Sequence, residues 1–342
     1  MAKNRLVTPI AILIFMALIL LFSSYYMDSA RKGLSVFATS VLPTLFPFVF
    51  LTSILTKTSI VEDVARLFKK PFEKLFGVCP LGAYVSFSSM VCGYPIGAMT
   101  LANLYELGAI TQKDVKAILP ISSTVGPIFV LGTVGGLLGN EIMGVVVLVS
   151  HYVATLINGL LWKQLYKMES ARTCERKGAL TCSAHSSSRQ TESCATPLCT
   201  LNTFPQKDVI LSSSIGEAII SSATSMLSVG GYILMGGIVV DTIALIPAMP
   251  SLPPELTSVI YGMVEMTRGV IASTLISSTT LKTSIVTLVV TWGGLSVLMQ
   301  SYHFLSRCNL TFVDVILPKI TQGILAFLTA EIFSNLFFNI LA

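Results

Sequence analysis

Seven stretches of this chain, residues 6–25, 33–55, 121–138, 142–162, 218–246, 284–303 and 316–342, run long and apolar with few or no charges. A backbone surrounded by hydrocarbon must satisfy its own N–H and C=O groups, so apolar stretches of about 20 residues cross as helices. Composition agrees. Charged residues make up 11% of the chain and apolar ones 53%, against roughly 25% charged in soluble domains. The sequence therefore reads as an all-α integral membrane protein. Its first stretch has the basic start of a signal peptide, Lys3 and Arg5, but residues 23–30 offer no small-x-small cleavage site. It reads as a retained N-terminal transmembrane helix.

A phrase recurs. Ala38-Thr39-Ser40-Val41-Leu42 returns as Ala223-Thr224-Ser225-Met226-Leu227, and helix-interrupting residues follow each copy: Pro43 and Pro47 in the first, Gly230-Gly231 and Gly236-Gly237 in the second. Two further stretches, 80–100 and 256–276, are divided by small and polar residues. Treated as re-entrant hairpins, they leave three full spans in each half, an odd number, so the halves face opposite ways. Inverted repeats with broken helices place a binding site where the halves meet. The expected organisation is an N-terminal helix (1–32), a first half (33–162), a disordered cytoplasmic linker (163–208) and a second half (209–342). A chance echo between apolar segments is the competing reading of the phrase.

Lysine and arginine set the orientation. Lys57, Arg66, Lys69, Lys70 and Lys74 follow the second span, and Lys163, Lys167, Arg172, Arg176, Lys177, Arg189 and Lys207 lie in the linker, all on the face that holds the N-terminus. Arg31 and Lys32 fall on the other face. Residues 60–76 put Leu67, Phe68, Phe72 and Phe76 on one side and Arg66, Lys69, Lys70 and Lys74 on the other, as in a helix lying in the interface with a bend at Pro71. Thr111-Gln112-Lys113-Asp114 has capping-box form. The linker is rich in Ser, Thr and Cys and lacks apolar periodicity, the signature of a chain that cannot offset its ordering entropy. Of its cysteines, Cys174, Cys182, Cys194 and Cys199, only the last pair approaches zinc spacing, so no metal and no cofactor is expected.

The run Cys92-Gly93-Tyr94-Pro95-Ile96-Gly97-Ala98 breaks any helix, and irregular backbone at membrane depth survives only buried in protein or lining a wet cavity. With Leu42-Pro43-Thr44-Leu45-Phe46-Pro47-Phe48 before it, this run resembles the YlbJ-like sporulation integral membrane proteins of endospore-forming bacteria. That resemblance extends to Ser150-His151-Tyr152 and to Gly293-Gly294-Leu295-Ser296 with Gln300. It implies two Gate, or nucleoside-recognition, halves of inverted topology and a role in spore formation, in a mother-cell or forespore membrane. Other sporulation membrane proteins are further candidate partners. Where the family carries Asn-Thr-Ser-Asn-Pro, this chain has Ser122-Ser123-Thr124-Val125-Gly126-Pro127, which lacks both amides.

Glu265-Met266-Thr267-Arg268-Gly269 takes the corresponding place in the second half. Charges in so apolar a stretch mark ligand or ion pathways, and spacing of three lets Glu265 and Arg268 meet on a helix, so they form either a binding pair or a structural ion pair. Gly294 and Gln300 offer close packing or a binding wall. His151 lies a helical face from Asn158 and reads as a proton relay or an interhelical hydrogen bond. Glu331, Asn335 and Asn339 form a polar stripe on the last span. The expected solute-binding set is Gly93, Tyr94, Pro95, Gly97, Ser123, Thr124, Glu265, Thr267, Arg268, Gly294 and Gln300. Enzyme signatures are absent, and the net charge of +5 suits lipid headgroups, not nucleic acid. The expected activity is movement of a small polar solute, with a membrane scaffold for cortex or coat assembly as the alternative.

Overall fold

The computed structural model describes residues 7–55, 60–181 and 211–341, and among these every regular element is helical. Helix α1 (Val7–Leu21) stops at Phe22, and α2 (Ser23–Val36) runs through a π turn at Phe37–Val41 into α3 (Leu42–Leu55). This corrects the first two spans. The 15 residues of α1 rise only about 22 Å at 1.5 Å each, short of a hydrocarbon core of about 30 Å. The membrane-length helix is Ser23–Leu51. Its π turn stands directly before Pro43, whose missing N–H cannot close an α-turn.

Helix α4 (Ile60–Phe76) is continuous through Pro71, and the chain then bends by 97° into α5 (Pro80–Cys92). Helix α5 and α6 (Ile96–Glu106) lie antiparallel around Gly93-Tyr94-Pro95, with Gly97 against Ser89. Thr111 and Asp114 form the expected capping box at the head of α7 (Gln112–Ser122). The expected span 121–138 is not one helix. Helix α7 ends at Ser122, residues 123–126 are irregular, and the chain resumes through a π turn at Phe129–Val134 into α8 (Gly135–Leu138). Gly126-Pro127 favours the break, since a proline disfavours a helical residue before it and glycine holds a helix weakly.

Helix α9 (Glu141–Thr181) crosses and continues, so the linker expected to be disordered from 163 is helical as far as Thr181. Met168, Glu169, Ala171, Arg172, Glu175 and Arg176 are good helix formers that extend a helix already nucleated. Residues 182–210 lie outside the described residues. Helix α10 (Leu211–Ala244) carries the second copy of the repeated phrase and is unbroken, contrary to the expectation from its glycine pairs. Gly230 and Gly236 serve close approach instead. A side chain at Gly230 would meet the Phe37 ring, and one at Gly236 would meet Glu265.

Helices α11 (Pro254–Val264) and α12 (Met266–Ser273) form a second antiparallel pair, with Gly262 on Gly269 and Ser258 donating to the Gly269 carbonyl at 2.8 Å. Helix α13 (Thr279–Trp292) and α14 (Gly294–Leu305) are then separated at Gly293 and Gly294, whose φ values of 82° and 78° leave the helical region. Finally α15 (Phe312–Leu341) crosses as one helix. Among the described residues, five helices are long and apolar enough to cross, six with the bent pair, which makes this a multi-pass membrane protein. Leu81, Leu101, Ile118, Leu298 and Leu305 form one core beneath the first pair. Val125, Val130, Met226, Val270 and Val290 form another around the breaks.

Candidate functional site

Each broken helix leaves carbonyls without helical partners, and a buried carbonyl must be paired. At the end of α7, Ser89 Oγ donates to the Ser122 carbonyl and Asn158 Nδ2 donates to the Pro120 carbonyl at 3.2 Å. At the end of α13, the Tyr94 hydroxyl donates to the Val290 carbonyl at 2.7 Å. One side chain serves both ends: Lys319, from α15, donates to the Ser123 and Thr291 carbonyls at 2.8 Å each and lies 4.7 Å from the centre of the Tyr94 ring. The polar side chains at this depth thus complete a backbone that the breaks have opened.

His151 belongs to the same web. Its Nε2 accepts the Val125 N–H at 3.0 Å, which makes Nδ1 the donor to Thr291 Oγ1 at 2.9 Å. Both ring nitrogens are occupied, as the interhelical reading expects. Asn158 also donates to the Pro318 carbonyl at 3.1 Å, joining α7, α9 and α15. Farther along α15, Glu331 accepts from Ser284 at 2.8 Å, whereas Asn335 bonds only within its own helix. Asn339's side chain lies outside the described residues.

The second tip is built differently. Glu265 has extended backbone, φ −140° and ψ 120°, and is the N-cap of α12: its carboxylate accepts the Thr267 N–H at 3.2 Å, the Arg268 N–H at 2.9 Å and the Thr267 hydroxyl. An acidic cap is favoured by the positive end of a helix. The expected ion pair between Glu265 and Arg268 is therefore corrected. With Glu265 outside the helix, the spacing of three does not bring the side chains together, and the Arg268 guanidinium pairs with Asp241 of α10 at 3.0 Å.

The two tips meet across a cavity of about 40 Å³. Gly93, Tyr94, Glu265, Thr267 and Gln300 line it, with Ser296 beside them and Val41, Leu45, Phe129, Val229 and Tyr232 opposite. Two of its polar groups have no hydrogen-bond partner among the described residues: Gln300 Nε2 and Ser296 Oγ, in side chains 4% and 7% exposed. A smaller cleft holds Gly97, Ser123 and Lys319 against the other side of Tyr94. The remaining expected residues stand apart from both. Pro95 follows Tyr94 in a cis peptide, Thr124 is turned to Ser89 at 2.9 Å, and Arg268 is on Asp241. Gly294 lies under the second tip, where a side chain would strike the Val264 carbonyl, as Gly93 lies against Gly126 at the first.

Sequence reasoning named Ser296 only within the Gly293–Ser296 run and missed Lys319 and Thr291. Lys319 was legible as a lone cation in an apolar span. Thr291 was not, because hydroxyls are common in membrane helices.

No family model matches the chain, and no solved structure matches it. The chain is similar to the sporulation integral membrane protein YlbJ of Bacillus subtilis (strain 168), 25% identical over 318 residues that cover 87% of this chain and 75% of that protein. This supports a YlbJ-like assignment.

Proposed function

We propose that this YlbJ-like membrane protein acts in spore formation by moving a small polar solute, which it binds between two inverted repeats. The observation that carries the reading is the cavity between the tips, where a capping carboxylate stands beside an amide and a hydroxyl that are buried and unpartnered. A buried donor without a partner costs about 1–3 kcal/mol, and a bound solute would recover that cost.

The repeat reading is supported by matched geometry. In each half a helical pair sends its tip onto the break of the following helix, Gly93 on Gly126 in the first and Glu265 on Gly294 in the second. The end of α6 packs against the end of α14, where Arg307 reaches Glu106 at 3.6 Å, and the converse elements, α8 and α12, pack against each other. An axis in the membrane plane would exchange these two contacts. In this reading the pairs are re-entrant hairpins, and one half rocks against the other to open the cavity alternately.

Uptake into proteoliposomes from a pool of small polar solutes tests the proposal. Wild-type protein should accumulate one class, and Gln300→Leu, which removes the unpartnered amide without adding a buried polar group, should lose uptake while melting at or above the wild-type temperature. Equal uptake by Gln300→Leu would remove the cavity from the mechanism. No uptake of any solute, together with normal sporulation of Gln300→Leu cells, would favour the scaffold.

A further inference from the structure

Lys319 is 3% exposed and, among the described residues, has no carboxylate partner. What surrounds its ammonium is a set of electron-rich groups from three elements: the Ser123 carbonyl after α7, the Thr291 carbonyl at the end of α13, and the face of Tyr94. Both carbonyls stand at the negative ends of half-helices. Main-chain carbonyls at half-helix ends are the donor set with which broken-helix membrane proteins hold Na⁺, and carbonyl oxygens also replace the hydration shell of K⁺ in channels.

We propose that the ends of α7 and α13 form a monovalent-cation cage that the chain fills from within, the ammonium of Lys319 standing where an inorganic ion would otherwise bind. The cage has the chemistry of a sodium or potassium site but a tethered occupant. Two consequences follow. The native protein needs no inorganic cation at this position, and shortening Lys319 uncovers a site that binds one. This inference does not rest on transport, because a carbonyl cage needs its cation in a scaffold as well.

The test is melting of the purified full-length protein in sodium, potassium or choline chloride at equal ionic strength, choline being too large for the cage. Wild type should melt at one temperature in all three. Lys319→Ala should melt lower in choline and regain a saturable part of the loss in sodium or potassium. An ion at ten times its dissociation constant raises the apparent folding equilibrium about elevenfold. The proposal is overturned if Lys319→Ala melts alike in all three salts, or if wild type shows the same sodium-specific rise. Should Lys319→Ala fail to accumulate, Lys319→Arg and Lys319→Gln decide it in its place. Greater stability of the charged variant supports the cage, and equal or greater stability of Lys319→Gln overturns it.

Discussion

Replacing Arg268 by Gln should destabilise the protein through Asp241 and leave the Glu265 cap in place. The guanidinium and the Asp241 carboxylate lie 3.0 Å apart with their side chains 16% and 18% exposed, buried enough for the pair to escape most solvent screening. Contacting charged residues of this kind couple by about 0.5–3 kcal/mol. Either single neutralisation, Arg268→Gln or Asp241→Asn, strands the other charge, so the double variant should be more stable than the sum of the two losses predicts. Glu265 touches Arg268 only through the backbone N–H, which Arg268→Gln retains. Glu265→Gln keeps an acceptor oxygen over the head of α12 and loses only the charge, at a cost of about 0.5–2 kcal/mol. Its coupling to Arg268→Gln should therefore be smaller than that of Asp241→Asn, since only the longer-range attraction between the two charges links them. Melting of the wild type, three single and two double variants in one detergent measures both couplings. A Glu265–Arg268 coupling as large as the Asp241–Arg268 coupling would refute this assignment of partners.

Three further outcomes can be read in the same assay. Gly93→Ala should cost about 1–3 kcal/mol from its φ of 80° alone and more from overlap with the Gly126 backbone, while Gly108→Ala, at φ 69° but with nothing within 4 Å, should cost distinctly less. Asn158→Leu should lower the melting temperature, because it leaves the Pro120 carbonyl without its amide donor, at about 1–3 kcal/mol for that buried acceptor, while the Pro318 carbonyl keeps the Thr321 hydroxyl at 3.1 Å. Tyr94→Phe should cost about as much as one such acceptor, since it removes the 2.7 Å bond to Val290 but keeps the ring face beside Lys319. A Tyr94→Phe loss as large as that of Lys319→Ala would mean that the hydroxyl, not the cation, holds the two helix ends together.

The class of the protein, its tips and much of its candidate site were legible in the sequence because each rests on local chemistry. Apolar length demands helices, Gly93-Tyr94-Pro95 demands a break, and Thr111 with Asp114 demands a cap. The repeated phrase pointed to duplication but to the wrong interruptions. Its second copy lies in an unbroken helix, and the breaks fall at 123–126 and at Gly293, after the tips and not before them. Glycine pairs carry both meanings in a membrane helix, since the same residue permits a break or admits a neighbour. Only the partner decides, and for Gly236 that partner is Glu265, 29 residues on in another element. The Glu265–Arg268 reading failed for a related reason. Spacing of three holds only if both residues are helical, and an acidic residue before a short helix is as readily its cap.

The distribution of polar bonds bears on how the halves could move. Contacts that join the two halves concentrate at one membrane face and at mid-depth: Lys116 with Asp314 at 2.8 Å, Gln112 with the Asn309 carbonyl at 2.7 Å, Arg307 with Glu106 at 3.6 Å, then Lys319 with Ser123 and Tyr94 with Val290. At the opposite end α8 (Gly135–Leu138), which packs on α12, is apolar, and Arg268 of α12 pairs within its own half, with Asp241. Parting an apolar contact inside a bilayer exchanges one apolar neighbour for another at little cost, whereas parting the latched end would expose several donors and acceptors. Under the transport reading, then, this conformation is held shut at the latched face and opens first at the other. Neutralising the latch with Lys116→Met and Asp314→Asn together should shift the balance toward opening at the latched face. A thiol-reactive probe presented from that side should then label Ser301→Cys, in the cleft beside Lys319, faster than in the latched protein; unchanged labelling would show that these surface pairs do not hold the halves closed.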